Sequence, residues 1–490
     1  MTGTLLVRAD GGGPMGAGHV MRQLALAQTW AGRDGRVVLA AANLPGALAT
    51  RWRDSGFEVS RLQGDPDRDA AALLDLAAVE APDWISFDGY HLGPTRQREV
   101  AHAGYRLLVV DDHGALGRYF AEVIVDQNLG ATATDYAERP AGSVLLLGLR
   151  YALLRREFSH DSPARSMTCR EPLRLLVTLG GSPEVALLDV IRAGVGAARC
   201  AVELVEIGSG MPVADVAALM ASCDLAVSAA GSTCWELCAT GLPAALVVTA
   251  PNQAPVAARL AAHGVALNLG PSTELTAACV AETVEGLARD PEQRAVMAAR
   301  GRALVDGRGA SRVVAVMRSR LLALRAAVAD DARLLWEWAN DPTVRAAAFS
   351  QDPIPWTSHQ AWMRERLRDP ACRIYIAERH GRPLGQIRFQ PKGPAPGRTE
   401  VGLSVVAGSR GEGWGSALIM AGVARVREEG FNEPLHALVK RDNVASALAF
   451  DTAGFERITD LDDPDGVLHL VAGPGQAGRD ASQALGRELL

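Results

Sequence analysis

No stretch of the 490-residue sequence supplies the ~18–20 consecutive apolar residues that a membrane-spanning helix needs. The start, MTGTLLVRADGGG, meets Arg8 and Asp10 too early for the apolar stretch of a secretory signal, so a cytoplasmic location is expected. Cysteine is sparse and unpatterned. The seven cysteines (169, 200, 223, 234, 238, 279 and 372) are odd in number and contain no CxxC pair, which speaks for reduced thiols rather than a disulfide frame or a zinc site. Aromatic residues make up only 5%, so the cores must rest on Ala, Val and Leu. Basic excess is lacking too. The net charge of −6 argues against a general nucleic-acid binder. It leaves room for an anionic ligand, because a cradle of backbone N–H groups binds phosphate on an acidic protein.

What is present is ordinary globular material, 48% apolar and 22% charged. At about 150 residues per domain the length suggests roughly three domains. Short apolar runs alternate with Ala/Leu-rich runs from the start: TLLVRA reads as a strand, His19 to Trp30 as a helix, and 37–41, 84–88, 106–112 and 121–127 as further strands. Such alternation predicts a mostly parallel sheet covered on both faces. The stretch 140–172, with Pro140, Pro163 and Pro172, reads as a crossover linker. Four strand-then-glycine units follow (LRLLVTLGG, AVELVEIGSG, CDLAVSAAG, PAALVVTA), and a helix-like stretch at 310–324 closes this part. The expected fold is α/β, with two Rossmann-like lobes over 1–158 and 159–322. An α+β domain over 323–470 comes next, where RIYIAERHGRPLGQIRFQ reads as two antiparallel strands about His380-Gly381-Arg382. Residues 471–490 read as a flexible tail.

Two constellations carry chemistry in the first 320 residues. RADGGGPMGAGHVMR (8–22) is a strand, a glycine loop and a helix start that bears His19. The positive end of a helix disfavours a protonated imidazole, and a neutral one is what a general base requires. The alternative is that His19 merely caps the helix. SAAGSTCWELCATGLP (228–243), followed by APNQ (250–253), places Gly231, Ser232 and Thr233 in a tight turn before a helix. Free N–H groups and hydroxyls there suit a diphosphate. Glu236, in the first turn, is placed to accept hydrogen bonds from ribose hydroxyls, or simply to complement the helix dipole.

These motifs in this order (RAD, GHVMR, FDGYH, VDD, a GG turn, AAGSTCWELCATGLP and NQ) resemble the UDP-sugar hydrolases of pseudaminic acid biosynthesis over residues 1 to about 320. Those enzymes release UDP from UDP-2,4-diacetamido-2,4,6-trideoxy-β-L-altropyranose. The resemblance implies a glycosyltransferase-B-like fold, no metal, and inversion at the anomeric carbon. His19 would then be the catalytic residue that activates water. Gly18, Arg22 and Tyr90 would be substrate-binding, with Tyr90 against the sugar. Gly231, Ser232, Thr233 and Glu236 would hold UDP, and Asn252 and Gln253 would also face substrate. One departure is visible: the GG turn runs Gly180-Gly181-Ser182-Pro183, where an Asp is expected soon after.

VVAGSRGEGWGS (405–416), followed by VKRDNVASALAFDTAGFE (439–456), resembles the Gcn5-related N-acetyltransferase family over about 325–465. Acetyl-CoA is the implied co-substrate. Val405, Arg410, Gly411, Gly413, Gly415, Ser416 and Asn443 are the implied binding residues, with Arg410 adding charge for the pyrophosphate. Family members often carry a Tyr seven residues after that Asn to protonate the CoA thiolate. Phe450 stands there and cannot do so. Glu400 is a candidate base, or an exposed strand residue. The fusion implies a bifunctional enzyme that acetylates the 4-amine of a UDP-sugar and then removes UDP. The implied partners are a UDP-sugar and acetyl-CoA, with no nucleic acid and no membrane. Three alternatives stand: a glycosyltransferase with an acceptor other than water, a non-catalytic acetyltransferase-like module, and an acetyltransferase with another acceptor.

Overall fold

The computed structural model describes residues 3–12, 16–32, 34–62, 66–159, 171–180, 184–207, 215–391, 399–458 and 466–473. Among these residues the strands form three sheets. The first comprises β1 (Thr4–Ala9), β2 (Arg36–Ala41), β3 (Glu58–Arg61), β4 (Trp84–Asp88), β5 (Leu107–Val110), β6 (Val123–Asp126) and β7 (Val144–Leu147). Their spatial order is 3-2-1-4-5-6-7, all parallel. The second comprises β8 (Leu173–Thr178), β9 (Val202–Ile207), β10 (Leu225–Ala229), β11 (Ala244–Val248) and β12 (Ala266–Pro271). It is also parallel, in the order 12-11-10-8-9. Helices cover both faces, so the central strands bury almost every side chain and read as continuous apolar runs.

In each sheet the strand order reverses at one point, between β1 and β4 and between β8 and β10. Loops diverge at the carboxyl ends of such a pair and leave a crevice, where open α/β sheets bind ligands. Both motifs singled out in the sequence follow these strands. The expectation of two Rossmann-like lobes holds.

The described residues up to 310 form one compact unit, and those from 311 onward form another. The second unit holds a mixed sheet of β13 (Ala323–Ala326), β14 (Arg373–Arg379), β15 (Arg382–Pro391), β16 (Thr399–Val405), β17 (Leu435–Lys440), β18 (Glu456–Arg457) and β19 (Val467–Ala472), in the order 13-14-15-16-17-19-18. Helix Trp414–Glu428 covers one face. Gly422 in that helix lets it close on Ile387 and Phe389 of β15.

Two expectations need correction. The helix at the end of the first part is Gly309–Ser319, and Ala323–Ala326 is strand, although its residues are locally helix-prone. Pairing with β14 and packing of Leu322 and Leu324 on the core override that preference. The stretch from 140 is not only linker: Val144–Leu147 pairs with β6 and extends the first sheet. The glycine turn at 180–183 is described only as far as Gly180, and the tail beyond 473 lies outside the described residues.

Candidate functional site

Helix Gly18–Ala31 begins where the first sheet's order reverses. Residues 19, 22 and 23 share one of its faces at the i, i+3, i+4 spacing. All three converge on Asp88, the last residue of β4. His19 Nδ1 lies 2.6 Å from Asp88 Oδ1. Arg22 donates to both carboxylate oxygens at 2.7 Å, and Gln23 Nε2 donates to Oδ2 at 3.2 Å. Arg22 Nη1 also donates to Asp112 Oδ1 at 2.9 Å, so one guanidinium bridges two acids from neighbouring strand ends. Burial by itself would raise the Asp88 and Asp112 carboxyls. Arg22 more than offsets it and holds both below the ordinary aspartate range, and the two acids in turn raise Arg22 well above the ordinary arginine value.

Asp88 sets the tautomer of His19. An ionised carboxylate only accepts, so Nδ1 of the neutral ring carries the proton and Nε2 keeps its lone pair. Arg22 Nη2 sits 3.2 Å from the same Nδ1 but is a donor already directed at Asp88 and Asp112. Among the described residues nothing hydrogen-bonds His19 Nε2. The ring is only 9% exposed, and the Tyr90 ring meets it edge-on at 5.4 Å. The carboxylate against Nδ1, which no feature of the helix start supplies, fixes the orientation of His19. Tyr90 is 48% exposed and donates to Asp112 Oδ2 at 3.1 Å. Burial and that carboxylate push its phenol up.

A second acid–histidine contact lies on the neighbouring strand end. Asp10 Oδ2 meets His91 Nε2 at 2.9 Å and accepts from Arg8 at 2.8 Å, while Oδ1 accepts the backbone N–H groups of Ala42 and Asn43. This network fastens the start of the glycine loop.

In the second lobe Gly231 and Ser232 follow β10, and helix Thr233–Thr240 starts there. Ser232 makes no side-chain cap, so the first N–H groups of that helix are not taken up by it. Gln253 Oε1 accepts from Thr249 N–H and Oγ1, and a Cβ built on Gly231 would lie 3.9 Å from Gln253 Nε2. Asn252 stands exposed on the same short turn. Glu236 accepts from Arg155 Nη2 at 2.9 Å, and burial pushes its carboxyl up against the pull of Arg155. A Cβ built on Gly18 would lie 3.5 Å from Ser232 Oγ. The start of the His19 helix thus abuts the glycine turn of the second lobe.

Sequence reasoning missed Asp88, Asp112 and Arg155. The first two sit in the quoted FDGYH and VDD runs. Their signal was a carboxylate at the carboxyl end of a buried parallel strand, where an acid is out of place without a partner. Arg155 lies in the stretch read as linker.

In the second unit, Gly411 and Gly413 take left-handed conformations, φ 79° and 80°, which turn successive N–H groups inward before helix Trp414–Glu428. Gly415 lies against Ala449 of the next helix, and Ser416 is buried. Beneath the loop, buried Arg318 donates to the Glu412 carbonyl. Its guanidinium and that of Arg379 lie over the Trp414 ring. Arg410 donates to the Val405 carbonyl and pairs with Asp341 at 2.9 Å. Its charge is shared with an acid, and it braces the loop. Asn443 caps the helix Val444–Thr452, accepting from Ser446 N–H.

The parallel strands β16 and β17 pair only at Thr399–Leu435 and Glu400–His436, although they are seven and six residues long. Beyond that the two strands are unpaired toward the glycine loop, a slot in the hydrogen-bond ladder. Phe450 is 2% exposed and packs edge-on against Phe455 in the core.

Comparison with known families bears on both parts. Residues 321–456 match the acetyltransferase (GNAT) domain, and residues 201–308 match the glycosyltransferase family 28 C-terminal domain. The chain carries both domains. Together they support a bifunctional sugar-modifying enzyme with an acetyltransferase part. None of the curated proteins compared matches the chain. Among solved structures, MurG of Acinetobacter baumannii is 15% identical, with 64% of this chain and 99% of that one covered, at a TM-score of 0.46. The aminoglycoside acetyltransferase AAC(6')-Ib with ribostamycin and coenzyme A is 22% identical over 32% of this chain and 94% of that one, TM-score 0.29. Spermidine N-acetyltransferase from Vibrio cholerae with CoA and spermine is 16% identical over 31% and 95%, TM-score 0.29. Among the described residues no helix is long and apolar enough to cross a membrane.

Proposed function

We propose that the first unit hydrolyses a UDP-linked 2,4-diacetamido-2,4,6-trideoxy sugar, and that the second acetylates the 4-amine of its precursor with acetyl-CoA. The observation that carries the first half is the buried Asp88–His19 pair. It leaves Nε2 with its lone pair, on a helix whose first residue, Gly18, lies against Ser232 of the second lobe.

In this reading a water oxygen attacks the anomeric carbon and gives its proton to His19 Nε2. The bond from that carbon to the diphosphate oxygen breaks, and UDP leaves. Asp88 stabilises the imidazolium, while Arg22 keeps Asp88 ionised and in place. Gly231, Ser232 and Thr233 present N–H groups and hydroxyls to the diphosphate, and the helix dipole favours the charge that builds there. Arg155 orients Glu236 toward the nucleoside. Acetyl-CoA, with its pyrophosphate on the loop 410–415, supplies the acetyl group in the second unit.

The test is an NMR time course on the full chain with the UDP-4-amino-4,6-dideoxy sugar, with and without acetyl-CoA. Consumption of acetyl-CoA followed by UDP and free diacetamido sugar is the expected result. The family 28 match favours one rival, transfer to a sugar or alcohol acceptor. A glycoside in place of the free sugar would establish that instead. An amine left unacetylated would overturn the second half.

A further inference from the structure

The second sheet face of the acetyltransferase unit carries a polar row that the proposed function does not use. Leu435, Ala437 and Val439 of β17 and Leu468, Leu470 and Ala472 of β19 point to the core under helix Trp414–Glu428. His436 and His469 therefore lie on the opposite face. There His436 Nδ1 meets His469 Nε2 at 3.0 Å. Val401 and Leu403 belong to the core face, so Glu400 shares the face of the two histidines and is paired in register with His436.

This row lies where β16 and β17 still pair. Strands β16 and β17 are closed only at Thr399–Leu435 and Glu400–His436. A linear arm descending from the glycine loop has to stop there. From Val405 to Glu400 the strand runs about 16 Å at ~3.3 Å per residue, the scale of an extended pantetheine arm. A thioester carried by such an arm would end beside His436.

Resting on the reading of this unit as an acetyl-CoA-dependent N-acetyltransferase, we infer that the His436–His469 pair takes the proton from the acceptor ammonium. Two neutral imidazoles in contact share one N–H between them, and a proton accepted by His436 is spread over both rings. The freed amine attacks the thioester carbonyl carbon, the N–C bond forms and the C–S bond breaks. Of the two protons the nitrogen loses, one ends on the CoA sulfur and one in solvent. Phe450 supplies neither. His436 is the catalytic group, and His469 is a positioning residue that holds its ring. Among the described residues, the charged side chains that strand register puts on the same sheet face are Glu400 of β16, Arg388 of β15, Lys440 of β17 and Glu456 of β18, which pairs with Val471.

The experiment uses the full chain in two arms. In the first, acetylation of the UDP-4-amino sugar is followed by CoA thiol release across pH 5–9. His436→Gln is expected to lower kcat by roughly 10²–10⁴-fold with the KM for acetyl-CoA little changed, as for loss of a general base. His469→Gln should move the ascending limb of the pH profile with a smaller loss. Near-normal turnover by His436→Gln overturns the proposal. In the second arm, ring ¹⁵N signals are recorded with acetyl-CoA and then with CoA. Coupled titration of the two rings, and a shift that distinguishes acetyl-CoA from CoA, are expected. Independent titration, or rings indifferent to the acetyl group, overturns the relay whatever the acceptor. A wild-type chain inert toward the sugar nucleotide whose rings still respond to the acetyl group would sink the acceptor assignment, not the relay.

Discussion

His19 Nδ1 and Asp88 Oδ1 lie 2.6 Å apart although 69 residues separate them in the chain. The contact exists because β1 and β4 are neighbours at the point where the first sheet reverses its order. It turns a histidine at a helix start into an oriented one.

Replacing Asp88 by Asn keeps the shape of the side chain but removes the carboxylate that fixes the tautomer. UDP release should fall by roughly 10²–10⁴-fold, as when the acid of a triad is neutralised or a general base is lost. His19→Gln should fall at least as far. The check is a coupled assay for UDP, with the folded state verified by circular dichroism. Normal turnover in either variant would remove the dyad from the mechanism.

Arg22→Gln leaves Asp88 and Asp112 facing each other without their shared cation. Breaking a buried pair of this kind costs about 3–5 kcal/mol, which urea unfolding at pH 7 should show. The pH dependence has a definite sign. In the wild type both carboxyls lie below the ordinary 3.8, so their contribution is fully present above that value and is lost as pH falls below it. Without Arg22, burial raises the two carboxyls, and protonation on acidification relieves the variant. Its deficit should therefore be largest at neutral pH and narrow on acidification. A deficit independent of pH would contradict this assignment.

Gly413→Ala tests the nucleotide loop. The backbone there sits at φ 80°, and the new Cβ would lie 2.9 Å from Arg318 Nη1. Left-handed strain of about 1–2 kcal/mol should weaken acetyl-CoA binding about tenfold. Calorimetry measures the loss, and UDP release from pre-acetylated substrate should stay unchanged.

Phe450→Tyr asks whether the position expected to hold a proton donor can do so here. Phe450 faces Phe455 and the sheet core. An added hydroxyl there is buried without a partner and should cost about 1–3 kcal/mol of stability. The melting temperature should fall with no gain in the rate of acetylation. A faster enzyme would mean that the ring reaches the slot.

Much of the architecture could be read from residue order. Strands such as TLLVRA and CDLAVSAAG are apolar because parallel strands are buried on both faces, and the glycine turns after them mark the strand ends. Val144–Leu147 and Ala323–Ala326 could not be read so. Each is four residues long, and its strand character comes from pairing with a distant neighbour. The partner of Arg410 was hidden for a related reason: Asp341, which pairs with it, stands 69 residues earlier.

The sequence by itself determined the two kinds of domain, the order of their elements, and the residues at the strand ends that carry polar chemistry. Hydrophobic period and turn residues are local properties, and they suffice for that. Only the tertiary structure decided which acid orients His19, that one arginine serves both Asp88 and Asp112, that Gly18 meets Ser232, and that His436 meets His469. Each of these depends on sheet order or strand register, which is settled when the whole core packs and no short segment encodes it.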